Sequence, residues 1–165
     1  MSKHFKKEEL ARCFREKVGR CSECKLMQPA QKLPDGVEGK LDALTANVLE
    51  PLRERYGKPI TVNSGYRCQV HNKTVGGAMN SQHTRGEAAD ITAGSPEENL
   101  KLARLIAANG RFDQMILYVN GANSLAPRFV HVSWKKTGAN RGMILKSVRG
   151  DSVKYRTVNI NELNK

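Results

Sequence analysis

The apolar positions of this chain follow two periods, and the helical one dominates its first third. Apolar residues recur at helical spacing over residues 37 to 56 and predict a helix, which Gly57 and Pro59 end in the usual order. Pro51 lies inside this pattern, so a kink or a local break is expected there. Residues 7 to 17 predict a short helix, followed by an irregular arm.

Strand-like runs gather in the second half of the chain. The capping box Ser95-Pro96-Glu97-Glu98 first opens a helix that ends near Asn109-Gly110. Short β-branched or apolar runs predict strands at residues 60–64, 88–93, 114–119, 129–134 and 142–148, with a further one within 153–160. This order of elements predicts an α+β fold, a single domain with a small, mainly antiparallel sheet and helices packed on it. Residues 1–36 form an N-terminal helix and cysteine-containing arm in this scheme, and residues 37–165 form the main domain.

The composition and net charge limit the classes of binding partner that are expected. With 165 residues and 39% hydrophobic content, the chain can bury a proper core, and we expect a monomer. A net charge of +12 favours polyanions such as the phosphate polymers of a bacterial envelope. Aromatic residues make up only 5%, too few for base stacking, so nucleic acid is not an expected partner.

Targeting signals are also informative. No apolar run approaches the length of a membrane span. The N-terminus is too charged for a secretory signal peptide, so synthesis in the cytoplasm and export by another route are expected.

The four cysteines leave two interpretations open. Cys13, Cys21 and Cys24 could be ligands of a small structural zinc site, since the last two form a Cys-x-x-Cys pair. Reduced thiols without metal are the favoured alternative, because the chain lacks a signal peptide. Cys68 stands apart in the sequence and has no assigned role.

Three residues have the chemistry of a catalytic zinc site. His83 and Asp90 are seven positions apart, and His131 lies in an apolar, β-branched run. Catalytic zinc takes three such ligands and keeps the fourth position for water or substrate. Bound water then loses a proton near neutral pH, which makes hydrolysis the expected reaction. Taken singly, a strand histidine is more often a core residue, Asp90 could be a cap, and His83 a loop residue.

The sequence around these residues strongly resembles the zinc D-Ala-D-Ala carboxypeptidase family, whose members, including phage endolysins, cut peptide bonds in peptidoglycan. The motifs are Ser64-Gly65-Tyr66-Arg67-Cys68, Asn72-x-x-Val75-Gly76-Gly77-Ala78 and Ser81-x-His83-x-x-Gly86-x-Ala88-Ala89-Asp90-Ile91. Phe112-Asp113-Gln114, Val130-His131-Val132-Ser133 and Asn140-Arg141 resemble later segments. The resemblance spans roughly residues 38 to 148.

The resemblance implies roles for particular residues. It implies that His83, Asp90 and His131 bind Zn²⁺, and makes residues 37–165 a zinc peptidase-like domain. It also implies that Arg67 binds the substrate carboxylate or polarises the scissile carbonyl, and that Ser81 lies near the substrate. We expect Gln114 and Tyr118 to line the same cleft.

One departure concerns the general base. Family members normally carry a carboxylate on the strand before the last histidine, or just before that histidine, whereas residues 114 to 150 contain no Asp or Glu. Tyr118 and Arg128 occupy the corresponding positions, and a phenol is a poor base at neutral pH. Asp113 has the opposite strand parity and is expected to face away, and Glu87 is expected to be a solvated loop residue. The base is therefore unassigned, and His71 is interpreted as a surface helix residue.

The leading hypothesis is a zinc metallopeptidase, a carboxypeptidase or endopeptidase, that acts on stem or cross-link peptides of bacterial peptidoglycan. A phage lysin, released onto the cell wall by a helper pore, would fit a chain without a signal peptide. The alternative is a non-catalytic, zinc-holding cell-wall-binding module that has lost its base. A charge-driven nucleic-acid-binding protein is a weaker third interpretation.

Overall fold

A computed structural model describes residues 2–11 and 33–163 of the chain. The helices are α1 (Lys7–Leu10), α2 (Val37–Leu44), α3 (Glu50–Tyr56), α4 (Gln69–Thr74), α5 (Pro96–Asn109) and α6 (Ile160–Leu163). The strands are β1 (Thr61–Ser64), β2 (Ala88–Thr92), β3 (Gln114–Val119), β4 (Phe129–Ser133), β5 (Met143–Val148) and β6 (Arg156–Thr157).

The six strands form one sheet in the order β1-β2-β4-β3-β5-β6. Every neighbouring pair is antiparallel except β3 and β5, which run parallel. The expected α+β fold, with a mainly antiparallel sheet in a single domain, is confirmed.

The two faces of the sheet have different chemistry because side chains alternate along each strand. One face is apolar, and its residues are buried in the same core as helix residues such as Leu44, Leu102 and Ile106. The strand residues on this face are Ala89, Ile91, Met115, Leu117, Val130 and Val132. The other face presents Asp90, His131 and their polar neighbours, so the helices support the site from behind.

The break expected at Pro51 is a π-helical turn. Residues Thr45–Leu49 form this turn and join α2 to α3 without interrupting the helical path. Proline cannot donate a backbone hydrogen bond, and its ring collides with the carbonyl four residues earlier. A wider turn directly before Pro51 relieves both problems. The helix ends at Gly57, which has φ +75°, as its sequence predicts.

The N-terminal segment contributes to the same core. Phe5, Leu10 and Leu33 are buried there, and the Leu10 carbonyl accepts the N–H of Tyr66 at 2.6 Å. The helix predicted over residues 7 to 17 is described only in its first turn, which is α1. Its part from residue 12 onwards lies outside the described residues. Cys13, Cys21 and Cys24 lie outside them as well. The domain division after residue 36 stays a prediction. Within the described ranges, no helix has the length and apolar character needed to cross a membrane.

Candidate metal centre and cleft

Sheet register and one short turn bring the three predicted ligands together. Asp90 in β2 lies directly opposite His131 in β4. His83 lies on a 3-10 turn, Gln82–Arg85, which the Ser81 hydroxyl caps by accepting the His83 backbone N–H at 3.3 Å. Gly86 ends that turn with φ +73°, a conformation that favours glycine.

The ligand atoms form a nearly equilateral triangle. Nε2 of His83 is 3.0 Å from Nδ1 of His131 and 3.1 Å from Oδ1 of Asp90, and the third edge is 2.9 Å. All three residues are buried. Zinc–ligand bonds of about 2.0–2.1 Å at tetrahedral angles put ligand atoms roughly 3.3 Å apart, so the donor set fits a small cation.

Neighbouring groups orient His83 and Asp90. Nδ1 of His83 lies 2.7 Å from the Gly65 carbonyl oxygen, which can only accept, so Nδ1 carries the proton and Nε2 presents its lone pair. Arg67 donates to Oδ2 of Asp90 at 2.8 Å, and this leaves Oδ1 directed at the two imidazoles. The guanidinium is itself fixed by Nε, which donates to the Ser64 hydroxyl at 2.8 Å.

The electrostatics of Asp90 and His131 favour the protonation states that a metal needs. Burial opposes ionisation of Asp90, but His83 and His131 outweigh it and hold the pKa of the carboxyl well below its usual range. Burial lowers the pKa of His131 and outweighs the hydrogen bond with Asp90, so its imidazole is neutral at physiological pH. A carboxylate and neutral imidazoles are the metal-binding forms of these side chains.

The donors lie at a cleft of about 890 Å³. Every site residue predicted from the sequence lines it: Arg67, Ser81, His83, Asp90, Gln114, Tyr118 and His131. The seven residues therefore lie around one cleft. The substrate roles given to Arg67, Ser81, Gln114 and Tyr118 stay predictions.

Tyr118 is held as a hydrogen-bond donor. Its ring stacks on Phe129 with centroids 4.5 Å apart. Burial raises the pKa of Tyr118. A hydrogen bond with Tyr155 and the negative charge of Asp90 raise this pKa further. The phenol therefore keeps its proton and cannot act as a base at neutral pH.

Neither nearby acid lines the described part of the cleft. Glu87, expected to be solvated, is buried and paired with Lys40 at 3.2 Å and Arg85 at 2.9 Å, so that expectation is wrong. Asp113 is fully buried and does not line the cleft itself, although its partners Arg141 and Lys135 do. Among the cleft residues in the described ranges, Asp90 is the single carboxylate.

One cleft residue was expected at the surface, and several other cleft residues were not predicted from the sequence. His71, interpreted as a surface residue, is 6% exposed and lines the cleft, because the short helix α4 packs beside the metal ligands. The thiol of Cys68 caps this helix by accepting the N–H of His71 at 3.4 Å. Other missed cleft residues are Asn63, Lys135, Arg141, Ser147, Lys154 and Tyr155. For Ser147 the sequence did offer a signal, because alternate residues of a strand such as β5 lie on the same face of the sheet.

Two histidines and an aspartate at an open cleft have the donor composition of catalytic metal sites, in which three protein ligands leave one position for water or substrate. A family model described as Peptidase M15 matches residues 3–133, most of the chain. The chain belongs to the Peptidase M15 family, which confirms the resemblance seen in the motifs. The match begins earlier than those motifs and ends before β5.

A curated relative supports the same assignment. The chain is 47% identical to a zinc D-Ala-D-Ala carboxypeptidase of Streptomyces albus G, over 34% of this chain and 26% of the relative. The chain therefore spans about a quarter of that relative's length.

Proposed function

We propose that this protein is a zinc-dependent peptidase that hydrolyses stem or cross-link peptides of bacterial peptidoglycan. The observation that carries the proposal is the convergence of His83, Asp90 and His131 within one buried triangle at the cleft. Membership of the Peptidase M15 family and the D-Ala-D-Ala substrate in the relative's name support the class of bond.

Zn²⁺ is the cofactor, as predicted. Two imidazole nitrogens and one carboxylate oxygen are a donor set that suits zinc, and the relative is named as a zinc enzyme. When bound, Zn²⁺ lowers the pKa of a water molecule and polarises a carbonyl group.

Arg67 is proposed to have two tasks. Through Oδ2 it fixes the orientation of Asp90, at 2.8 Å. Among the described residues, its NH1 group makes a single, long hydrogen bond of 3.4 Å to the Asn72 side chain, and Arg67 lines the cleft. A guanidinium is permanently charged and offers several N–H groups, so NH1 can bind the peptide carboxylate or the scissile carbonyl oxygen. Ser81 and Gln114 are proposed to contact the peptide beside it.

Tyr118 is proposed to donate its hydroxyl hydrogen to the oxygen that becomes negative during hydrolysis. In the described part of the cleft, Asp90 is the single carboxylate, and as a proposed metal ligand it is not available to remove a proton from water. General-base catalysis contributes roughly 10²- to 10⁴-fold, so slow turnover is expected.

The surroundings of the metal centre suit an anionic peptide on an anionic wall. Five basic side chains line the cleft: Arg67, Arg85, Lys135, Arg141 and Lys154. The net charge of +12 would concentrate the protein on acidic envelope polymers. We propose that the protein acts as a phage lysin, which reaches its substrate when it is released to the cell wall.

The test is digestion of purified peptidoglycan by the wild type, by His83→Ala and by a matched His4→Ala control. His4 is a half-buried histidine that pairs with Glu50, outside the cleft. We expect new amino groups or released D-Ala with the wild type and with His4→Ala. We expect neither product with His83→Ala or with chelator, and recovery of the chelated wild type after zinc is added back. Full turnover by His83→Ala would overturn the proposal.

The second candidate is a zinc-holding cell-wall-binding module without catalysis. The observation that favours it is Tyr118 at the position expected for the base, with its proton retained. Zinc-loaded wild type that binds peptidoglycan and forms no product over a long incubation would favour this candidate.

A further inference from the structure

Two cations lie at the end of the cleft where β3 begins and β4 ends. Lys135 follows β4, and Arg141 precedes β5, whose first residue is paired with Gln114. Both line the cleft, and both lie beyond the last residue matched by the family model. Tyr118 lies at the other end of β3, so this basic pair is well separated from the tyrosine along the sheet.

A buried carboxylate holds both cations in place. Asp113 is fully buried and accepts from Nε and NH2 of Arg141, at 3.0 and 2.5 Å, and from the Arg141 backbone N–H at 3.1 Å. Nζ of Lys135 lies 3.1 Å from the same carboxylate. The fork geometry fixes the guanidinium plane, so its outer edge is preorganised towards the cleft.

The charges at this end do not cancel. Two cations share one carboxylate, and their side chains are 43% and 31% exposed for Arg141 and Lys135. One positive charge is therefore left over at a partly desolvated wall, where an anion is bound more strongly than in open water.

A neighbouring amide points to the same corner. Nε2 of Gln82 donates to Asp113 at 2.8 Å, which fixes the orientation of the amide, because its oxygen would be repelled by the carboxylate. Oε1 of Gln82 is buried and accepts no hydrogen bond from the described residues. A buried acceptor of this kind normally has a donor partner, such as water or a ligand N–H.

We propose that Arg141 and Lys135 form a second anion subsite that binds a carboxylate of the peptide, apart from the group that Arg67 contacts. The substrate is then an acidic peptide with at least two carboxylates, one on each side of the metal centre. The identity of the ligand as a peptide rests on the proposed function, whereas the preference for a carboxylate rests on the subsite alone.

The test uses zinc-loaded protein and two peptides of identical sequence, which carry either a free side-chain carboxylate or its carboxamide. Arg141→Gln is compared with Arg149→Gln, which removes the same charge from an exposed residue outside the cleft lining. Calorimetry gives Kd for each peptide, and steady-state kinetics give kcat and KM separately. Thermal unfolding checks that both variants are folded.

The wild type is expected to bind the carboxylate peptide about tenfold more tightly than the carboxamide peptide, because the carboxamide lacks one charge-assisted contact. Arg141→Gln should lose that preference and raise KM with little change in kcat, whereas Arg149→Gln should match the wild type. Equal affinity of the wild type for both peptides, or an unchanged preference in Arg141→Gln, overturns the subsite.

Two further arms keep the outcomes separate. If Arg141→Gln is unfolded, Lys135→Met replaces it, with the same expected loss of preference. If the wild type binds with the charge preference but cleaves neither peptide, the proposed peptidase activity fails and the subsite stands. If the wild type cleaves the peptides but binds both with equal affinity, the subsite fails and the proposed peptidase activity stands.

Discussion

Two of the three proposed metal ligands, His83 and Asp90, are each oriented by a partner that is distant in sequence. The Gly65 carbonyl sets the tautomer of His83, and Arg67 occupies the second oxygen of Asp90. The residue types and motif order predict the three ligands, and that assignment stays a prediction. Their orienting partners were not predictable in the same way, because a hydrogen bond across 18 residues depends on how a loop folds back.

Burial is also poorly predictable for single polar residues. Glu87 and His71 were expected at the surface, yet Glu87 is covered by its pairing with Lys40 and Arg85, and His71 faces the cleft. Composition places such residues outside on average, and only tertiary contacts decide the exceptions.

Tyr118→Phe tests the proposed donor role of the phenol. The substitution removes one hydroxyl and keeps the ring that stacks on Phe129. We expect kcat to fall by roughly 10-fold or more, as after the loss of an oxyanion donor, with bound zinc unchanged. Phe129→Leu is the control, because it alters the stack and keeps the hydroxyl. A kcat equal to that of the wild type in Tyr118→Phe would contradict the donor role.

At the scale of elements, the sheet register determines the site. The pairing of Asp90 with His131 and of Ile116 with His131 puts the site residues on one face. The strands were predictable because period-two runs of β-branched residues are distinctive, and β3 agrees with its predicted bounds. Strand order was not predictable, since β5 reaches β3 in parallel by a crossover that local sequence does not encode.

Gly65→Ala tests the contact between the N-terminal segment and the site loop. A Cβ at this position would lie 2.0 Å from the Leu10 carbonyl oxygen, so the backbone must move. We expect a loss of about 1–3 kcal/mol in the free energy of unfolding, measured by urea titration. Zinc affinity should fall as well, because the Gly65 carbonyl orients His83.

Gly121→Ala is the matched control for this change. Apart from its chain neighbours, no atom of the described residues lies within 4 Å of the added Cβ, so the unfolding curve of this variant should overlay that of the wild type. If the two glycine variants unfold at the same urea concentration, the close approach of Leu10 to Gly65 is contradicted.

At the scale of the whole molecule, one buried carboxylate ties separate parts of the chain together. Asp113 connects the turn that carries His83, through Gln82, with the loop of Lys135 and Arg141. Burial opposes its ionisation, but the hydrogen bonds from Arg141, Lys135 and Gln82 outweigh it and hold the pKa well below its ordinary value.

Asp113→Asn tests this link through the pH dependence of stability. A lowered pKa means that the stabilisation is fully present above the unfolded-state pKa, about 4, and is lost as the pH falls through the folded value. The metal-free variant should therefore be less stable than the wild type by about 1–3 kcal/mol at neutral pH. This difference should shrink below about pH 4, measured by urea unfolding in chelator. A difference that does not depend on pH would contradict the link.

Zinc stoichiometry tests the central claim most directly, namely that His83, Asp90 and His131 bind one metal ion together. Zinc per chain is measured on purified protein for the wild type, for His131→Ala and for the His4→Ala control. We predict that His131→Ala holds one zinc fewer than the wild type, whereas His4→Ala holds the same amount. Equal zinc in the wild type and His131→Ala, with both folded, would contradict the account.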